Sequence, residues 1–143
     1  MITLLLLHAI TTWALCGLIW TIQVVHYPLF EDVGPEHFRG FHGRHMRLIT
    51  WIVAPLMFLE VGSAGLLLFW GERSWLFLLS LLALAVVWLS TAIYQVPMHD
   101  QLVRGYHAGL IRRLVLTNWW RTLAWTTRGL CLTAMLHELL TKI

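Results

Sequence analysis

The chain has 143 residues, enough for one domain, and is 59% hydrophobic but only 12% charged. A soluble domain carries about a quarter charged residues, so a mean hydropathy of +0.72 makes water the minor solvent for this chain. A net charge of +3 with a pI near 9.3 would point to nucleic acid in a soluble protein, but here the arginines cluster between apolar segments, which excludes nucleic acid as the partner.

The first apolar segment, Ile2–Val25, exceeds the roughly 20 residues needed to cross hydrocarbon. It lacks a positive n-region and an A-x-A site, and it is longer than a signal-peptide core, so a retained span is expected. Gly34-Pro35 then breaks the chain, and Pro35 suits the first turn of a new helix beginning near Glu36. Gly40 and Gly43 are poor helix formers within it. This helix carries His37, His42 and His45 ahead of the second span, Met46–Trp70. His42 and His45, spaced i, i+3, share a face, whereas His37 is turned roughly 140° away. Gly71-Glu72-Arg73-Ser74 reads as a tight turn that makes spans two and three antiparallel neighbours. The third span is Trp75–Val96, ended or kinked by Pro97. Between about residues 102 and 116, Leu110, Ile111, Leu114 and Val115 interleave with Arg112 and Arg113, a pattern for a short helix along the membrane surface. The fourth span, Asn118–Leu140, contains Arg121, Arg128, His137 and Glu138, and requires its neighbours to shelter them. Cys16 and Cys131 lie inside spans as small hydrophobes and imply no disulfide framework.

These elements predict an all-α integral membrane four-helix bundle, a single domain over residues 1–143. Its spans are about 2–25, 46–70, 75–96 and 118–140, with a surface helix about 102–116. Arg39, Arg44 and Arg47 follow span one. Arg104, Arg112 and Arg113, with Arg121 at their edge, follow span three, while the opposite side has Arg73 and Lys142. The positive-inside rule makes the arginine-rich side cytoplasmic, with both termini on the non-cytoplasmic side of the cell (inner) membrane.

That topology collapses distant positions into one layer. His26, His42, His45, His99, Asn118 and Arg121 fall at similar depth near the cytoplasmic face. Trp88, Thr91, Gln95 and His99 form one helical stripe, and Asn118, Arg121, Trp125 and Arg128 form another. Lipid satisfies no polar group, so both stripes are expected to turn inward. Glu60 lies roughly 21 Å along span two from Met46, and Arg128 roughly 15 Å along span four from Asn118, at 1.5 Å per residue. The long guanidinium bridges that offset, so the two are expected to pair. His8 and His137 are expected to be lone interfacial or packed histidines, and His107 to be solvated.

Imidazole is the commonest metal ligand, and helical i, i+3 pairs present two of them to one ion. H-x-x-H by itself is a weak motif, and a solvated cap contacting headgroups is the rival reading. Asn118 and Arg121 either anchor span four at the interface or orient an anionic or carbonyl-bearing substrate. Asp100 beside His99 is either a supporting carboxylate or a surface charge, and His37 either joins the site or stands clear of it. There is no Walker loop, dinucleotide fingerprint, G-x-S-x-G, C-x-x-C or H-E-x-x-H, so nothing supports nucleotide-driven or hydrolytic soluble chemistry.

The stretches HYPLF, QVPMHDQL and TNWWRTLAWTTRG, after spans one and three and opening span four, together resemble the anthrone-oxygenase-like family of small four-helix membrane proteins. The resemblance implies oxidation of a lipophilic phenol-like compound. Two departures stand out: Tyr27 separates His26 from Pro28, and His99 stands where that family tends to have asparagine, which leans toward a metal. LLHAITTWALCGL and MRLITWIVAPLM are similar to parts of the small haem-containing membrane protoporphyrinogen oxidases, a weaker likeness that implies haem b. The expectation is therefore a membrane oxidoreductase, an oxidase or oxygenase, for a lipophilic small molecule reaching it from the bilayer. His26, His42, His45 and His99 would hold iron or copper, which imidazole suits. Asn118 and Arg121 would position substrate, and Gln95 would tune the metal's surroundings. The alternative is a non-enzymatic haem-binding or structural membrane subunit, and in either case the chain could form a homo-oligomer.

Overall fold

A computed structural model describes residues 2–141, and every regular element among them is helical. α1 (Ile2–Thr21) runs directly into a π-helical turn, Ile22–His26, followed by a 3-10 segment, Pro28–Val33. Gly34 takes φ 75°, a left-handed conformation that favours glycine, and this turns the chain into α2 (Pro35–Phe69) with Pro35 in its first turn. α2 is one helix of 35 residues, so Gly40 and Gly43 do not break it and Pro55 is accommodated within it. Gly71 (φ 92°) reverses the chain, and the Ser74 hydroxyl caps α3 (Trp75–Ser90) by accepting the Phe77 N–H. A second π-helical turn, Thr91–Gln95, joins α3 to α4 (Val96–Leu102), and His107 caps α5 (Ala108–Leu140) through its ring.

Two expectations change here. Pro97 does not end the third span: helix continues to Leu102, because the wide π turn just before the proline re-forms the backbone pairing its ring would disturb. No separate surface helix spans 102–116 either. Val103–His107 is a short link, and Ala108 onward belongs to the same rod as Asn118–Leu140. Leu114 and Ile111 are buried in that rod, so packing against the bundle holds this turn straight.

By length and composition three helical runs could cross a membrane: Ile2–His26, Pro35–Phe69 and Trp75–Leu102. α5 and α1 form the centre, with α3 packed along α5 and α2 along α1. The α1–α5 seam is close. Trp13 and Trp20 donate their indole N–H groups to Thr133 and Thr126, each at 3.0 Å. Gly129 lies between those threonines, and a Cβ there would sit 2.9 Å from the Trp13 ring. α2 and α3, although joined by a tight turn, scarcely approach each other along their backbones. They still meet through side chains, the Phe58 and Trp88 ring centroids lying 6.0 Å apart, and a cleft opens beyond that contact, between α2 and residues 91–100.

Candidate functional site

The two π turns lie at equivalent places, one just before Tyr27 and one just before His99. Each inserts an extra residue into the helical repeat, which rotates the residues downstream of it and re-aims them at the bundle centre. Together with the N-terminal turns of α2 they bring four imidazoles into one group. His26 and His45 are joined Nε2 to Nδ1 at 2.8 Å, and His42 and His99 Nε2 to Nδ1 at 3.0 Å. Ring centroids lie 4.5 Å apart for His26–His45, 5.2 Å for His42–His99, 6.1 Å for His45–His99 and 6.2 Å for His42–His45. The group rests on aromatic rings: Phe38 stacks on His42, and fully buried Phe30 sets its edge or face against His26, His42 and His45.

Tyr27 extends this group. Its hydroxyl lies 2.9 Å from His99 Nε2, with Arg121 beside it. Burial pushes the phenol above its ordinary value, against the pull of Arg121, so Tyr27 keeps its proton and donates it to His99 Nε2. With both imidazoles neutral, the His99 proton then sits on Nδ1 and is donated to His42 Nε2. His42 carries its own proton on Nδ1, and that buried atom has no partner. The result is a directed chain, Tyr27 to His99 to His42.

This arrangement does not fit a metal ion as the sequence predicts. Four imidazoles around one tetrahedral ion, with N–metal distances of about 2.0–2.1 Å, aim a nitrogen from every ring at a common point. Here five of the eight ring nitrogens, at least one from every ring, are engaged with one another or with Tyr27, and among the described residues no group of three or more His, Cys, Asp or Glu could hold a metal. The rings converge as expected; their donor atoms do not.

The remaining expected residues gather on the neighbouring side. Asn118 donates to Gln23 Oε1 at 2.9 Å and accepts from Arg121 at 3.3 Å, while Gln23 donates to the Val115 carbonyl. Arg121 lies 5.2 Å above the Trp125 ring. Gln95 donates to Thr117 Oγ1 at 3.1 Å. Asn118 therefore orients Arg121 rather than facing the cleft. Gln95, His99, Tyr27, Arg121 and Asp100 line a cavity of about 260 Å³ between α2 and the α3–α4 helix, whose other walls include Met46, Ile49, Val53 and Met57. Asp100 is exposed at its rim without a hydrogen bond to His99, and His37 is exposed outside the cluster.

A second buried network lies deeper. Glu60 and Arg128 pair at 3.0 Å, both fully buried, as their positions along the helices predict. Glu60 also accepts from Thr12 (2.8 Å) and the Trp125 indole (3.1 Å), and Arg128 donates to the Ser80 carbonyl (2.6 Å) and to His8 Nε2 (3.2 Å). His8 donates in turn to Ser63 at 2.7 Å, so of its two expected readings it is the packed histidine, not the lone interfacial one. Sequence reasoning gave Gln23 and Tyr27 no role and read His8 as a lone interfacial or packed histidine without its partners. The available signals were the shared α1 face of His8 and Thr12, spaced i, i+4, and the tyrosine lodged between His26 and Pro28.

Fold and site together define an all-helical protein with helices apolar enough to cross a membrane, and with a histidine–tyrosine–arginine cluster opening on a lateral apolar cleft. Comparison with family models, curated proteins and solved structures gives no match to this chain.

Proposed function

We propose that this protein is a membrane-embedded oxidoreductase that binds a lipophilic, hydroxyl-bearing small molecule in the cleft between α2 and the Thr91–Gln95 turn with α4. The observation that carries the reading is the composition of that cavity: apolar walls on α2, and Tyr27, Gln95, His99 and Arg121 at its polar end. A bilayer-soluble molecule slides in sideways and leaves its polar group against these residues. Oxidation of a phenolic hydroxyl gives up an electron, for which dioxygen is the proposed final acceptor, and a proton, which the residues here can carry. A proton received by the Tyr27 oxygen passes to His99 Nε2, and the His99 Nδ1 proton passes to His42 Nε2, with no ring displaced.

In this reading α5 is the fourth span, and the protein is a multi-pass protein of the cell membrane. Its charges argue against that only when counted without direction: Arg121 and Arg128 are buried, whereas Trp120, Leu123 and Leu130 point outward. Arg39, Arg44, Arg47, Arg104, Arg112 and Arg113 sit at the histidine end of the helices, which supports a cytoplasmic location for that end and outward-facing termini.

The test is turnover by protein reconstituted in lipid, with a panel of lipophilic phenols, followed by product absorbance and dioxygen uptake. Turnover should be lost in His99→Ala and in Met57→Trp, which fills the cleft. A panel without any turnover, together with probe binding that Met57→Trp leaves untouched, would remove the proposal. Elemental analysis decides the route of the electrons. Stoichiometric iron or copper lost on His42→Ala or His45→Ala assigns a metal to rings that have turned to meet it, and its absence leaves the histidine–tyrosine chain as a proton carrier alone.

A further inference from the structure

Two buried polar atoms at the polar end of the cleft lack partners: Gln95 Oε1 and Arg121 Nε. Gln95 is 2% exposed and Arg121 6%. The orientation of the Gln95 amide is set by Thr117, whose hydroxyl proton goes to the Arg113 carbonyl at 2.8 Å; Thr117 therefore accepts from Gln95 Nε2 and leaves Oε1 as the free acceptor. Arg121 Nε–H is the free donor, and it belongs to a full positive charge. Unlike Arg128, which has Glu60, Arg121 has no carboxylate within 4 Å among the described residues; its polar neighbours, the Asn118 amide and the Tyr27 hydroxyl, are both neutral. A buried cation facing an apolar cleft without a counter-ion is a receptor for an anion.

We infer that the cleft takes a hydroxylated aromatic carboxylate, its anionic head on Arg121 and its hydroxyl donating to Gln95 Oε1. This rests on the cleft being the substrate site proposed above. Burial of the head group in a low-dielectric pocket makes the charge-assisted bond to Arg121 the main source of selectivity. Met46 and Met57 on the opposite wall offer thioethers to an aromatic ring. A cavity of about 150 Å³ holds benzene, so 260 Å³ has room for roughly ten non-hydrogen atoms, about one to two rings, with any tail left in lipid.

The experiment compares three probes, 3-hydroxybenzoate, its methyl ester and benzoate, titrated into the full chain in detergent micelles with concentrations corrected for micelle partitioning; the meta hydroxyl cannot reach its own carboxylate and stays free to donate. The acid should bind about ten- to a hundredfold tighter than its ester, the range expected of a hydrogen bond to a charged group. Arg121→Gln should abolish that preference, and Gln95→Leu should abolish the advantage of 3-hydroxybenzoate over benzoate. The wild-type comparison of acid with ester needs no variant, so a poorly folding Arg121→Gln leaves the test intact. An ester that binds as tightly as the acid, and that Met57→Trp expels, overturns the anionic ligand but leaves the cleft as a binding site. If no probe binds, the inference fails. The cleft reading then stands or falls separately, on whether Met57→Trp alters turnover of the neutral phenols.

Discussion

The buried pair Glu60–Arg128 and the Tyr27–His99–His42 chain make different demands on single side chains. Glu60 accepts three hydrogen bonds from three donors on two helices, so neutralising it strands a fully buried guanidinium. Glu60→Gln should therefore lower stability by about 3–5 kcal/mol, measured by thermal unfolding in detergent, the range for breaking one partner of a buried ion pair. Thr12→Val removes one neutral donor and should cost about 1 kcal/mol by the same measurement. Tyr27→Phe keeps the ring and its packing but deletes the hydroxyl that hands a proton to His99. Turnover should fall about a hundredfold with little change in unfolding temperature, the contribution typical of a positioned acid–base group. Tyr27→Phe with unaltered turnover would take the relay away and leave the fold description untouched.

Helix packing here depends on where small residues and widened turns fall. α1 and α5 approach closely because Gly129 offers no side chain to Trp13, and two tryptophan–threonine bonds, one on each side, hold that seam. Gly129→Ala should push the indole off Thr133 and cost about 1–3 kcal/mol by overpacking, visible as a lower unfolding temperature and a shifted Trp fluorescence maximum. α2 and α3 behave oppositely. They touch through Phe58 and Trp88, and beyond that contact the polar residues of the Thr91–Gln95 turn and α4 face the apolar residues of α2 across open space. The π turns at Ile22–His26 and Thr91–Gln95 set the register of both walls. Without the extra residue, Tyr27 and His99 would be turned roughly 100° from their present direction, the angle of one residue in a helix.

The distribution of polarity is inverted relative to a water-soluble protein. His8, Glu60, Arg121 and Arg128 are inside, while Trp51, Phe58, Phe69, Leu82 and Leu130 cover the exterior. Such an exterior suits association with a lipid bilayer. Orientation is then a matter of loop charge, and it can be read with cysteines, since Cys16 and Cys131 are both buried and give little background. Gln101→Cys and His137→Cys, both at exposed positions, should label from opposite faces in intact cells, His137→Cys from outside. Labelling of both from one side would contradict the proposed topology.

Helical class, apolar segments and the inward stripes were legible in the chain because each depends on local periodicity and on the insolubility of charge in lipid. Asn118, Arg121, Trp125 and Arg128 are all buried, as their spacing requires, and Glu60 meets Arg128 because two charges at matching depth have no other solvent. Convergence of His26, His42, His45 and His99 obeys the same logic of depth and face. The direction in which each imidazole nitrogen points is of another kind. It is decided by ring torsions, by Phe30 and Phe38 packed beneath, and by a tyrosine whose role emerges only when α4 lies against it. The continuous α5, the unclosed cleft and the π turns likewise depend on helix–helix packing, which selects among backbone states that differ little in local energy. Spacing along a chain specifies which side chains share a layer; three-dimensional packing specifies which atoms are left unpaired in it, and those atoms define the ligand.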